Sequence, residues 1–94
     1  MSELQTVQVS ILSQNYTLTC PAGKETNLLR AATNLDEKLQ NIKASGRVVG
    51  LERMAVMAAL NSSAELIETQ DQLATLETAL EQLHEKITSS LSQD

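Results

Sequence analysis

LERMAVMAALNSSAELIETQDQLATLETALEQLHEKITSSLSQD, residues Leu51–Asp94, contains no glycine and no proline, and its leucines recur in steps of three and four. A helix rises about 1.5 Å per residue, so a tract of this length spans roughly 60 Å. The other fifty residues make only a small globule, too short to cover such a helix. A lone helix would leave its leucine stripe in water. The chain therefore needs copies of itself, or a partner, and reads first as an assembly component.

The register can be written out. Leu66, Leu73, Leu80 and Ile87 sit seven apart, and Leu76 and Leu83 take the second seam position between them, with Thr69 and Ser90 at the seam positions that are not apolar. Sustained for about three heptads, this is a coiled-coil pattern. The alternative, an amphipathic helix lying on a globular core, fits the length poorly. The flanking positions carry Glu65, Gln70, Gln72, Glu77, Ala79, His84 and Lys86. They form no evident set of opposite charges, so neither strand orientation nor stoichiometry can be read from the seam.

Upstream, Val7, Val9 and Ile11 alternate with Gln8 and Ser10, and Tyr16, Leu18 and Cys20 alternate with Thr17 and Thr19. Two period-two runs separated by Ser13-Gln14-Asn15 predict a β-hairpin, with Asn15 suited to the reversal. Pro21-Ala22-Gly23 breaks the second strand, and a helix begins near Lys24 with Glu25 in its first turn. Leu28, Ala32, Leu35, Leu39 and Ile42 line one side of that helix, Lys43 falls in its last turn and Gly46 terminates it. Gly50 then precedes the long helix, with Glu52 in its opening turn. The fold class is α+β: a small head of β-hairpin plus first helix over residues 1–50, then a long C-terminal coiled-coil helix over 51–94. Between Leu51 and Leu60 the apolar residues run almost all round the helix, which predicts burial on several sides. The small Ala55, Ala58 and Ala59 would allow close helix approach there, and the methionines read as core rather than as a ligand box.

Composition narrows the function. Tyr16 is the only aromatic residue, so a single compact core would be weak, and oligomerisation supplies the missing burial. One cysteine, Cys20, excludes an intrachain disulfide and fits a reducing compartment. No signal peptide is evident and no apolar run approaches the ~18 residues of a membrane span, so a cytoplasmic protein is expected. Net charge is −5 and unevenly placed: residues 1–50 hold five basic and four acidic side chains, residues 51–94 two and eight. An acidic helix behind a near-neutral head is poorly suited to the DNA backbone, which needs a positive stripe.

The chemistry available is slight. One His, one Cys and no metal-ligand spacing leave no zinc site, phosphate loop or nucleophile–base pair to assemble. The carboxylates of the long helix face solvent, where they seldom do acid–base work. Neither catalysis nor a cofactor nor a metal is expected.

The segment Arg47-Val48-Val49-Gly50-Leu51-Glu52-Arg53, continuing into Met54-Ala55-Val56-Met57-Ala58-Ala59-Leu60-Asn61 and Glu65-Leu66, resembles the central block of the ZapA family. The resemblance extends to Ile11-Leu12, to Tyr16-Thr17-Leu18-Thr19-Cys20-Pro21 and to Leu35-Asp36-Glu37-Lys38-Leu39, about two-thirds of the chain. It implies a small bacterial cytoplasmic protein that associates with the tubulin-like division protein FtsZ. It also implies homodimers through heads and coils, paired end-for-end into a homotetramer that cross-links FtsZ filaments at midcell. Carried over by position, the partner-binding surface comprises Lys43, Arg47 and Glu52. The oligomer interface comprises Ala55, Ala58 and Ala59 with Leu66, Leu73, Leu76, Leu80, Leu83 and Ile87. Some relatives carry basic residues in the hairpin where this chain has Gln14 and Thr17, which leaves Lys43 and Arg47 as the cationic candidates. Two rivals stand beside this reading. One is a ribbon-helix-helix DNA binder, which would need one basic strand per subunit. The other is a generic coiled-coil scaffold for another cytoplasmic assembly.

Overall fold

The computed structural model describes residues 3–92. Two antiparallel strands, β1 (Leu4–Ile11) and β2 (Gln14–Pro21), are followed by helices α1 (Glu25–Ser45) and α2 (Leu51–Leu91). The fold is α+β, as the two periodicities predict, and the end of the expected helical tract, residues 93 and 94, lies outside the described residues. Two compact units divide the chain: one reaches as far as Ala59 and so takes in the first turns of α2, the other begins at Leu60.

In the first unit the hairpin register pairs Val7 with Leu18, Val9 with Tyr16 and Ile11 with Gln14. The reversal therefore falls on Leu12 and Ser13 instead of on the expected Ser13-Gln14-Asn15, and Asn15 pairs with Ser10 inside the ladder. Both turn residues have positive φ, 50° and 64°, the requirement of a two-residue type I′ loop. Neither is glycine or asparagine, so each left-handed residue costs about 1–2 kcal/mol. Two interactions offset that cost. The Leu12 N–H donates to Asp36 Oδ1 at 2.8 Å, a charge-assisted bond worth about 1.5–3 kcal/mol. The Leu12 side chain packs against the cluster of Leu39, Met54 and Ala58. A tertiary contact, not local propensity, sets the turn.

Helix α1 lies chiefly over β1. Its first half covers Val7, Val9 and Cys20 with Ala32, and its second half brings Leu39 against Met54 and Ala58 of α2. Ile11 packs on both clusters and links them. Because α1 favours β1, the β2 half of the same face stays more open, with Tyr16 40% and Leu18 37% exposed. The ends of α1 follow the sequence signals. The Glu25 carboxylate accepts the Gly23 N–H at 3.0 and 3.2 Å, and Gly46 closes the helix at φ 69°, its N–H donating to the Lys43 carbonyl.

The second unit is α2 from Leu60 onward. Leu66, Leu73, Leu76, Leu80, Leu83 and Ile87 are each more than half exposed, and no side chain there is buried among the described residues. Thr69, at the seam, donates its hydroxyl to the Glu65 carbonyl at 2.8 Å. Its polar group is satisfied within the helix, which lowers the cost of a threonine at an apolar position.

Candidate functional site

The three residues proposed for partner binding lie along one short path: the end of α1, the connection 46–50 and the first turn of α2. Lys43 is exposed in the last turn of α1. Arg47 is exposed just past the Gly46 cap, and its backbone is held there: Ser45 Oγ accepts the Arg47 N–H at 3.3 Å while its own hydroxyl donates to the Ile42 carbonyl at 2.6 Å. Glu52 is exposed in the opening turn of α2, whose first hydrogen bond runs from the Met54 N–H to the Gly50 carbonyl.

These residues do not share one cavity. Glu52 lines a groove with Val48, Arg53, Val56 and Met57. Lys43 instead borders two hollows at the hairpin tip. One is edged by Leu12, Ser13, Gln40 and Ala44. The other, about 200 Å³, has an apolar wall of Ile11, Leu12, Tyr16, Leu51 and Met54, with Gln14 and Lys43 as its polar positions. Arg47 lines neither. The surface is a set of separate features around the junction of the two helices, not a cleft.

The residues expected at contacts between copies divide as well. Ala55 and Ala59 are exposed, but Ala58 is fully buried within the chain against Leu39 and Met54. Of the methionines expected in the core, Met54 is buried, while Met57 is 39% exposed along the Glu52 groove. Residues at the hairpin tip, above all Tyr16, border Lys43 and were not singled out by the sequence. Their signal is faint: an aromatic side chain on a strand whose partner strand takes most of the helix cover.

The arrangement offers binding rather than bond-making chemistry. Among the described residues no group of three His, Cys, Asp or Glu could hold a metal ion, and no helix is long and apolar enough to cross a membrane. Cys20 is buried in the hairpin core, and His84 is exposed on α2.

Comparison with known proteins bears directly on this arrangement. The family model described as cell division protein ZapA matches residues 7–93. Cell division protein ZapA of Pseudomonas aeruginosa is 42% identical over 73 residues, which cover 78% of this chain and 70% of that protein. A solved structure, described as an unknown conserved bacterial protein from Pseudomonas aeruginosa PAO1, superposes with a TM-score of 0.72 at 32% identity. That match covers 95% of this chain and 98% of the other.

Proposed function

This chain belongs to the ZapA family of cell division proteins, and from that premise we propose that it binds FtsZ protofilaments and cross-links them at the division site, stabilising the Z ring. It acts without catalysis or cofactor, as a homodimer and homotetramer in the cytoplasm at midcell, and binds neither nucleic acid nor membrane. The observation that carries this reading is the leucine stripe of α2, whose six seam residues are each more than half exposed in the single chain. Copies that bury this stripe, with Ala55 and Ala59 at the same contacts, carry several heads on one assembly. Weak head contacts then become effective because the second engagement is intramolecular. Lys43, Arg47 and Glu52 supply the filament contact, and Arg47, pinned at its backbone with no guanidinium partner among the described residues, suits bidentate pairing with a carboxylate.

Co-sedimentation with FtsZ polymer, read beside light scattering, tests the proposal. Wild-type protein should pellet with filaments and bundle them. Arg47→Glu should remain tetrameric and lose bundling more completely than single contact. A wild-type tetramer that stays in the supernatant would leave the generic coiled-coil scaffold as the better reading. Full bundling by Arg47→Glu would remove that residue from the surface.

A further inference from the structure

The hollow between the hairpin tip and the helices is too small for a cofactor or metabolite, whose sites run to about 300–1,000 Å³. At about 200 Å³ it suits a single side chain. Its walls are apolar except for Gln14 and Lys43, and Lys43 is the only charged residue lining it. The Lys43 ammonium has no hydrogen bond or ion pair among the described residues. Tyr16, the one aromatic residue of the chain, forms part of the wall and is left 40% exposed instead of being used in the core. Tyrosine is among the residue types that most often dominate a protein contact.

The hollow is also preformed. Asp36 holds the Leu12 N–H with one carboxylate oxygen and accepts Gln40 Nε2 with the other, both at 2.8 Å, so the hairpin tip is tied to α1. The Tyr16 hydroxyl donates to Gln14 Oε1 at 3.1 Å across the rim. An occupant would have little ordering cost to meet on this side.

We propose that this hollow receives one apolar side chain of the filament partner, with a carboxylate beside it in the partner's chain paired to Lys43. The charge of the rim selects the occupant: one unpaired ammonium beside an apolar wall complements an apolar residue flanked by an acid. This rests on the filament-binding reading above and gives Lys43 a role distinct from that of Arg47, which does not line this hollow.

The test uses the full chain and FtsZ filaments, with co-sedimentation at several salt concentrations and sizing of every variant. Tyr16→Ser removes a wall and should weaken binding about tenfold without changing its salt dependence. Leu51→Ser removes another wall and should act similarly, so the result does not hang on one substitution keeping its fold. Lys43→Gln should weaken binding at low salt and flatten the salt dependence. Tyr16→Phe keeps the ring and should bind as wild type. Leu18→Ser is the control: it lies on the same strand and face at similar exposure but outside the hollow, and should bind normally. Wild-type protein that binds no filaments would remove the underlying reading and this proposal with it. Wild-type binding matched by the Tyr16, Leu51 and Lys43 variants would overturn the pocket alone. Equal loss in Leu18→Ser, or a changed oligomeric state in Tyr16→Ser, would also overturn it, the latter by assigning the hollow to a second copy.

Discussion

The chain before Leu60 and the chain after it spend their apolar residues differently. Every buried hydrophobic residue among those described lies at or before Ala58, while the leucines of α2 from Leu66 onward are open along their whole register. The first unit covers strands with a helix and closes on itself, modestly, through Val7, Val9, Cys20, Ala32, Leu39, Met54 and Ala58. In the second, no side chain is buried among the described residues. On the proposed reading, copies of the chain bury this seam, and its stability would then depend on protein concentration. One half of the molecule buries its apolar residues within the chain and the other leaves them for the proposed assembly, and substitutions in the two should separate cleanly.

The largest separation is expected from Leu76→Glu. Losing a seam leucine costs on the order of 2–5 kcal/mol per copy, and the carboxylate then faces apolar neighbours unpaired. Light scattering should show the tetramer gone, with dimers remaining and the first unit melting as before. An unchanged tetramer would mean that the seam runs along another face. The converse is Leu39→Ala, which opens a cavity between α1 and the start of α2 at a residue only 4% exposed. It should destabilise the first unit by about 3 kcal/mol in denaturant melts while the assembly keeps its mass. If mass falls with Leu39→Ala, folding and assembly are coupled and the comparison fails.

A smaller effect probes the hairpin tip alone. Asp36→Ala removes the acceptor of the Leu12 N–H and leaves two left-handed residues without their main support. The expected cost is about 2 kcal/mol, and the Leu12 amide should be the first in the hairpin to lose protection from hydrogen exchange. Unaltered exchange at Leu12 would show that side-chain packing by itself holds the turn.

That turn also marks where the sequence stops being legible. The strands, both helices and the ends of α1 are written locally, in the two periodicities, in Glu25 and Lys43 and in Gly46. The reversal at Leu12 and Ser13 is not, because neither is a turn former and the group that fixes them sits 24 residues away. Ala58 is legible as a small residue on an apolar helix, but periodicity does not say which neighbour covers it. Similarly, Lys43 and Arg47 stand out as exposed cations near a helix end, whereas the hollow beside Lys43 gathers Ile11, Tyr16 and Leu51 from three separate elements. Local signals locate the charges. Only the packed fold gathers the walls around them.

The smallest expected effect concerns charge in the assembling half. From Leu60 to Leu91 there are six acidic side chains and one basic, Lys86, so gathering copies concentrates negative charge. The geometry keeps the penalty modest. In the leucine register Glu68, Asp71, Glu81 and Glu85 fall on positions away from the seam, and only Glu65 and Glu77 are acids flanking it. Repulsion between such groups acts through water over distances comparable to the Debye length, about 10 Å at 0.1 M salt and 3 Å at 1 M. Raising salt should therefore strengthen the tetramer about threefold, roughly 0.6 kcal/mol, the scale of exposed charge pairs. The first unit carries nearly balanced charge, so its melting temperature should barely respond over the same range. Sedimentation equilibrium across a salt series measures the first effect, and thermal melts at the same concentrations measure the second. A dissociation constant that rises with salt would mean that opposite charges pair between copies, with Lys86 as the cation, and that the seam is not the only element setting assembly.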